Sequence, residues 1–423
     1  MNWFTLDEME QFEYSTKLAK INKSFSSDFH KQATPFSLCI EMIEKVGAEI
    51  QEEKNWLVIA NLEFVIALKE YFKYRKWNFN RVSFVTPCEN KGISAKFLGV
   101  GNVYEYSYDN FKEWKIDMKF DVIIGNPPYQ AEGAFKGSNI LWPNFFKIAN
   151  SMINENGYIS LVHPYTWTSS IKTETRSSKP LLDIWNRGTL LELNLNAHRY
   201  FNVGSSTICY VVFKIEKNRK NNMLKIVYPN FTKTINIENY DFIPNGISSD
   251  LDFSILEKVL FNKDAKLERI SGGGHRKKVD NQFPTVKLKY KQAYTWANFK
   301  RGNHLYSENE GILQNKNKVI CFYSSNCDFV YDDGEFGLGE MTAGVTVNNK
   351  LEGDNLISIL NSKLFWFVSK FKPYSGTHGG RPATIKHFPK LNLEREWTDN
   401  ELYNYFKLTQ EEIDLIEGST YGK

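Results

Sequence analysis

Short apolar runs alternate with longer amphipathic segments through the first half of the chain. Apolar residues recur at helical intervals from Phe36 to Val46, and the run from Trp56 to Ala60 is continuously apolar. The alternation continues with helical patterns at 62–74 and 142–153 and with strand-like runs at 81–86, 120–124, 158–163, 190–194 and 207–215. Mostly apolar strands separated by helices are typical of an open, mainly parallel sheet covered on both faces. The pattern therefore predicts an α/β fold that binds ligands beyond the carboxyl ends of its strands.

The polar run Glu-Lys-Asn-Arg-Lys-Asn-Asn at 216–222 ends this alternation. Beyond it, short strands at 224–228 and 318–323 mix with glycine-rich turns and with one helix at about 356–371. We therefore predict three parts: a helical N-terminal extension at 1–30, a Rossmann-like α/β domain at 31–220 and an α+β domain at 221–423.

Charge is distributed unevenly along the chain. The 423 residues include 53 Lys or Arg and 49 Asp or Glu, so the net charge is only +4 and a histone-like basic coat is excluded. The segment from Lys263 to Arg301, however, holds eleven basic residues against three acidic ones, a local charge of +8. Aromatic residues make up 15% of the chain. Such a content is typical of large hydrophobic cores, and some of the rings could also stack on unstacked bases.

The five cysteines are widely spaced and form no Cys-x-x-Cys pair, which favours neither a disulfide framework nor a zinc site. No apolar stretch approaches the ~18 residues that a membrane helix needs. Acidic Asp7, Glu8 and Glu10 stand where a signal peptide would carry basic residues. We expect a cytoplasmic protein with no membrane segment and no bound metal.

The sequence Asn126-Pro127-Pro128-Tyr129 follows the strand at 120–124 after a single glycine. The two prolines stiffen the backbone, because each ring locks its own φ and holds the preceding residue extended. The Asn126 side-chain oxygen and the Pro127 carbonyl can then accept both hydrogens of one planar amine. This frees the nitrogen lone pair to attack an electrophilic methyl group, while the Tyr129 ring stacks on the substrate. We predict these four residues to be catalytic; the alternative is a strand terminator with a buried tyrosine.

Over residues 30–220 this motif and its neighbours resemble the amino-group methyltransferases that use S-adenosylmethionine, and among them the adenine-N6 DNA methylases of restriction-modification systems. Thr34-Pro35-Phe36 resembles the segment that lies against the methionine part of the cofactor. Tyr108-Asp109-Asn110-Phe111 resembles the acidic motif at the cofactor's adenine, which implies cofactor contacts for Asp109 and Phe111, as for Asn126 itself. The strand at 207–213 looks like the one whose aromatic residue, here Phe213, packs on the extruded base.

The first strand departs from the family pattern. The family has a glycine-rich cofactor loop there, but residues 55–64 contain no glycine. Glycine lets a backbone approach a cofactor closely, so we expect either a wider turn at Ala60 and Asn61 or weakened cofactor binding. Glu63 or Glu89 is the candidate for the acidic residue that binds the ribose, and a solvated surface carboxylate is the alternative for each.

The resemblance implies that the C-terminal half is a target-recognition domain for double-stranded DNA. Its basic segment, which includes Lys277 and Lys278, is suited to phosphate contacts. The helix at 355–370 and the glycine-rich loop that follows it resemble the end of such domains, where His378 or Arg381 could read base edges. A cognate restriction endonuclease is the implied partner; a fused nuclease has little support, since the chain contains no Pro-Asp dipeptide.

We therefore expect a DNA adenine-N6 methyltransferase. Two alternatives stay open at this point. The Asn-Pro-Pro-Tyr motif would bind any planar amide or arylamine, so the substrate could be an RNA adenine or a protein glutamine. The glycine-free loop, in turn, is compatible with a catalytically silent DNA-binding subunit.

Overall fold

The computed structural model describes residues 34–108, 110–130, 140–172, 174–175, 178–201, 208–216, 222–272, 290–302, 304–323, 329–339, 341–371 and 381–419. The predicted helical extension at 1–30 lies outside these residues. The chain divides into two compact units, Met1–Glu238 and Asn239–Lys423.

Unit 1 is built on a nine-stranded sheet with the order β3-β2-β1-β4-β5-β7-β6-β8-β9. Strands β1 to β5 run parallel to one another, and β7 is antiparallel to both β5 and β6. The strands are β1 (Trp56–Ile59), β2 (Val82–Thr86), β3 (Asn102–Glu105), β4 (Phe120–Gly125), β5 (Ile153–Pro164), β6 (Gly188–Asn194), β7 (Ile208–Ile215), β8 (Met223–Val227) and β9 (Thr232–Asn236).

Helices cover both faces of this sheet. They are α1 (Phe36–Gly47), α2 (Leu62–Arg75), α3 (Glu89–Leu98), α4 (Trp142–Met152) and α5 (Lys179–Asn186). Val162 of β5 packs in one core cluster with α1 and α2, whereas the adjacent His163 contacts Trp142 and Phe146 of α4. Neighbouring residues of a strand point to opposite faces, so the two helical layers lie on opposite sides. The predicted Rossmann-like α/β fold is confirmed.

The first unit extends beyond the predicted division at residue 220. Strand β8 pairs in parallel with β6, and β9 pairs antiparallel with β8, so this hairpin belongs to the sheet. The polar run at 216–222 connects two strands of one sheet. Unit 1 therefore ends at Glu238.

Unit 2 contains two small sheets and a set of short helices. The sheets have the orders β10-β16-β13-β14 and β12-β11-β15. The strands are β10 (Ile270–Ser271), β11 (Tyr290–Ala293), β12 (Leu305–Ser307), β13 (Lys318–Phe322), β14 (Val330–Asp332), β15 (Phe336–Leu338) and β16 (Thr342–Thr346). The helices are α6 (Asp250–Val259), α7 (Trp296–Lys300), α8 (Lys350–Asn361), α9 (Lys363–Ser369), α10 (Arg381–Thr384), α11 (Asp399–Tyr405) and α12 (Gln410–Glu417).

The single helix predicted at 356–371 is in fact two helices. Ser362 leaves the helical conformation with ψ at 153°, and its side chain accepts a hydrogen bond from the backbone N–H of Phe365. A serine that caps a new helix competes with continuation of the old one.

Within the described ranges, no helix has both the length and the apolar character needed to cross a bilayer.

Candidate active site

The candidate site lies where two adjacent parallel strands end. Strands β1 and β4 are in register, with Ile59 beside Gly125, so the residues after both strands emerge at the same edge of the sheet. A Cβ atom on Gly125 would lie 2.2 Å from the carbonyl oxygen of Ile59. Only glycine allows this approach, which brings Asn126 next to the turn that follows β1.

Asn126 is held by three of the residues predicted from the sequence. Its backbone N–H donates to Oδ1 of Asn61 at 3.0 Å, and its side-chain Nδ2 donates to Oγ1 of Thr34 at 3.1 Å. The hydroxyl of Tyr129 donates to Oδ1 of Asn126 at 2.8 Å. The two hydroxyl contacts give the amide a defined orientation, with its oxygen toward Tyr129.

The glycine-free turn after β1 is a tight one, not the wider turn that was one expectation. Ala60 has a φ of +83°, a conformation that usually requires glycine. Its N–H donates to the carbonyl of Val85 in β2 at 3.0 Å, and the next residue, Asn61, precedes the first turn of α2. Ala60 therefore adopts the backbone geometry that a glycine would otherwise provide, and it directs Asn61 toward Asn126.

Tyr129 combines a packed ring with a polar tip. The ring lies against the core cluster of α1, α2 and the sheet, and the backbone carbonyl accepts from the N–H of Leu141 at 2.9 Å. Burial, assisted by the neighbouring Cys209, holds the pKa of the Tyr129 hydroxyl well above its ordinary value. The hydroxyl is therefore a neutral donor at physiological pH. Pro127 is buried and Pro128 is half-buried between Asn126 and this ring.

The other predicted cofactor residues lie around these strand ends. Pro35 and Phe36 lead into α1 directly after Thr34, which is 2% exposed. Glu63 is buried in the first turn of α2, whereas Glu89 is exposed in the first turn of α3, after β2. Their ribose role stays a prediction.

Phe111, the predicted contact at the cofactor's adenine, lies in an aromatic group beyond β3. Its ring meets that of Phe145 edge-on at 4.9 Å and that of Trp114 at 5.4 Å. Asp109 lies outside the described residues. The adenine contact therefore stays a prediction.

The structure does not bring Phe213 to this site. Phe213 pairs with Ile159 of β5, which pairs with Ile123 inside β4, so Phe213 lies within the sheet and not at its edge. Side chains of paired residues share a face, and this face is opposite to the cluster that contacts Tyr129. Phe213 is also fully buried. Its predicted role in stacking on the base is replaced by a role in the core.

Arg381 serves the core of unit 2. Its guanidinium lies over the rings of Trp366 and Phe329, at 4.0 and 4.6 Å from their centroids, and donates to Oδ1 of Asn361 at 3.1 Å. With 7% exposure, it is not presented to read a base. The other predicted DNA contacts, Lys277, Lys278 and His378, lie outside the described residues.

Glu41 was missed by the sequence reasoning. Its carboxylate accepts hydrogen bonds from Nδ2 of Asn194 and the hydroxyl of Tyr210, both at 2.8 Å, and from Arg199. These bonds tie α1 to β6 and β7, and Thr34 lies two residues before α1 begins. No local signal identifies this anchor, because the partners lie more than 150 residues away along the chain.

Residues 27–184 match the sequence model of the Eco57I restriction-modification methylase family. This stretch contains Thr34, Asn61, Asn126 and Tyr129, the whole hydrogen-bonded cluster. The match confirms the resemblance to restriction-modification methyltransferases that the motifs predict. A search of curated proteins found no match.

Several solved structures are similar to the chain. The type IIG restriction endonuclease BpuSI has 11% identity and a TM-score of 0.44, over 95% of this chain and 63% of that one. A modification subunit of a putative type I restriction enzyme from Vibrio vulnificus YJ016 has 11% identity and a TM-score of 0.39, over 52% of each chain. A putative class I S-adenosylmethionine-dependent methyltransferase from Listeria monocytogenes has 12% identity and a TM-score of 0.39, over 54% of this chain and 75% of that one. The matched region thus spans about half of the Vibrio subunit.

Proposed function

We propose that this protein is a site-specific DNA adenine-N6 methyltransferase of a restriction-modification system. It transfers a methyl group from S-adenosylmethionine to an adenine flipped out of duplex DNA. The orientation of Asn126 carries the proposal. Thr34 holds the amide nitrogen, so the amide oxygen is directed to the position that the Tyr129 hydroxyl now fills. A hydrogen of the adenine amine can take that position.

The residues at the strand ends fit the expected cofactor. S-adenosylmethionine, when bound, supplies an electrophilic methyl group. The left-handed turn at Ala60 brings the connection between β1 and α2 within hydrogen-bond distance of Asn126 without a glycine. Thr34, Pro35, Phe36 and Asn61 would hold the cofactor, with Glu63 or Glu89 at its ribose.

The chain's own groups would prepare the adenine for attack. Oδ1 of Asn126 and the carbonyl of Pro127 accept the two hydrogens of the amine, which draws the nitrogen lone pair out of conjugation with the ring. The Tyr129 ring stacks on the base and offsets part of the few kcal/mol that flipping costs. As the amine nitrogen bonds to the methyl carbon, the bond between that carbon and the sulfonium sulfur would break to leave S-adenosylhomocysteine, and one amine proton would pass to water.

A methyl-transfer assay tests this proposal. Purified protein, radiolabelled S-adenosylmethionine and duplex DNA should yield labelled DNA that contains N6-methyladenine. Asn126→Ala should abolish the transfer and leave the thermal unfolding profile intact. Asn144→Ala, at an exposed position of α4, is the matched control and should transfer at the original rate. Transfer retained by Asn126→Ala would overturn the mechanism.

Two further experiments distinguish the proposed DNA methyltransferase from an enzyme with another substrate and from a catalytically silent subunit. Parallel reactions with RNA and protein substrates show which amine is methylated. A calorimetric titration with S-adenosylmethionine, with and without DNA, shows whether the cofactor binds; no binding in either case would establish the silent subunit. The absence of glycine from the loop after β1 was the main argument for a catalytically silent subunit. Because Ala60 adopts the left-handed conformation that a glycine would provide, its conformation supports an active enzyme.

A further inference from the structure

Three basic residues lie on two paired segments among the described residues of unit 2. Lys266 and Arg269 lie on the segment that leads into β10, and Lys386 lies just after α10. The two segments are joined by backbone hydrogen bonds, from Leu267 N–H to the carbonyl of Phe388 and from Lys390 N–H to the carbonyl of Ala265, at 2.9 and 2.7 Å. The basic groups are therefore held on a fixed framework.

Arg269 and Lys386 repel each other, and Lys266 shares the carboxylate of Asp241 with Lys386. Burial lowers the pKa of Lys266 to about 8, although Asp264 and Asp241 act in the opposite direction. Burial also lowers the pKa of Lys386, and the positive charge of Arg269 lowers it further. The shared Asp241 faces both lysines and is itself half-exposed to solvent. The two carboxylates, Asp264 and Asp241, do not neutralise three cations, so the cluster retains a positive charge.

Arg269 retains capacity to bind an anion. Its guanidinium donates to the hydroxyl of Tyr323, which follows β13. Its Nε is buried and has no hydrogen-bond partner among the residues that the structure describes. A buried N–H without a partner is costly, and an oxygen of a bound anion would satisfy it.

The position of the cluster along the chain indicates which anion it meets. Arg269 stands shortly before the segment at 273–289, which holds Lys277 and Lys278, and Lys386 stands shortly after the segment at 372–380, which holds His378. Both segments are predicted from the sequence to contact DNA. The cluster thus adjoins, in the chain, the two parts of unit 2 expected at the duplex.

We propose that Lys266, Arg269 and Lys386 form a binding site for one phosphate group of the DNA backbone. This inference rests on the proposed function, because it takes duplex DNA as the substrate. A contact to phosphate positions a duplex without reading its sequence. The site would therefore contribute affinity and leave the choice of target to other residues.

The salt dependence of DNA binding tests the site. Each phosphate neutralised by a protein contributes about 0.9 to the slope of log affinity against log salt concentration. The double variant Lys266→Gln/Lys386→Gln should lose about 0.9 from this slope, which corresponds to about fivefold weaker binding at 0.15 M salt. Two duplexes of unrelated sequence should lose affinity equally.

Two controls keep the result interpretable. Lys316→Gln/Lys407→Gln removes the same charge from exposed positions of unit 2 and should leave the slope unchanged. Lys386→Arg keeps the cation and should also keep the slope. Because burial makes the charged form of both lysines costly, the double variant should unfold at a temperature no lower than the original protein, which excludes misfolding as the cause of weaker binding.

The outcomes separate this inference from the proposed function. In one outcome, the original protein methylates and binds duplex DNA while the Lys266→Gln/Lys386→Gln variant keeps its full salt-dependence slope. That result would overturn the proposed phosphate site and leave the proposed methyltransferase function intact. A slope that falls equally in the Lys316/Lys407 control would also overturn the site, since overall charge would then be the cause. If the original protein does not bind duplex DNA at all, both proposals fail.

Discussion

Asn126 and Thr34 lie 92 residues apart in the chain, and a 3.1 Å hydrogen bond joins Nδ2 of the asparagine to the hydroxyl of the threonine. Thr34 is almost fully buried, whereas Asn126 is half-buried at the end of β4. The bond fixes which end of the amide carries the acceptor oxygen. Thr34 thereby becomes a positioning residue for the proposed reaction, besides its predicted contact with the cofactor.

Thr34→Val should lower kcat about tenfold, because the isosteric valine removes the acceptor and leaves the amide free to turn. Thr34→Ser keeps the hydroxyl and should retain most of the activity. Steady-state methyl transfer at varied S-adenosylmethionine concentration measures both parameters. A residue that only contacts the cofactor would raise the KM for S-adenosylmethionine and leave kcat alone, which would contradict the positioning role.

Tyr129→Phe should bind DNA as well as the original protein or up to about fivefold more tightly. The phenylalanine keeps the ring but removes the hydroxyl that fills the acceptor of Asn126, a bond worth about 1 kcal/mol. Tyr129→Ala should lower kcat/KM about 10- to 100-fold, since it removes the stacking plane. Kinetics on duplex DNA would reveal the contrast; equal losses in the two variants would mean that the hydroxyl itself is needed.

Ala60→Gly should leave the free energy of unfolding unchanged or raise it by up to about 1 kcal/mol. The left-handed φ strains alanine, and glycine relieves that strain at the cost of a more flexible unfolded chain. Ala67→Gly is the matched control, because Ala67 is equally buried but lies within α2. It should lose about 1 kcal/mol. Urea denaturation of both variants tests the difference, and a comparable loss at residue 60 would argue against the strained turn.

Lowering the pH should destabilise the protein partly through His163. This residue is fully buried beside Trp142 and Phe146, and burial lowers its pKa to about 3. In the unfolded chain the pKa is about 6.5, so between these values the unfolded state binds the extra proton. The contribution of neutral His163 to the free energy of unfolding is therefore complete above pH 6.5. It decreases as the pH falls toward 3, by at most about 1.4 kcal/mol per pH unit.

His163→Gln removes this ionisation and provides the comparison. Its free energy of unfolding should fall less steeply than that of the original protein between about pH 6.5 and 4. Denaturation series at fixed ionic strength provide both curves. Parallel curves would contradict the prediction, because they would show that the pKa of His163 is the same in the folded and unfolded protein.

The sequence by itself determined the architecture of unit 1 and the position of the Asn-Pro-Pro-Tyr motif within it. The apolar runs at 56–60, 81–86 and 120–124 are the central strands β1, β2 and β4, because strands covered on both faces must be apolar throughout. A single glycine after such a strand places Asn126 at its carboxyl end. The motif and its surroundings were therefore predictable from local pattern.

Only the tertiary structure decided how distant residues meet. An apolar strand buried on both faces carries no signal for which side a given residue takes, so the position of Phe213 away from Tyr129 depended on the register of β5 and β7. The polar run at 216–222 reads as a linker, yet β8 pairs with β6 beyond it. The hydrogen bond between Thr34 and Asn126 likewise depends on the position of α1, which Glu41 anchors to the sheet. Local sequence sets burial and chain direction, whereas pairing between elements is a property of the whole sheet.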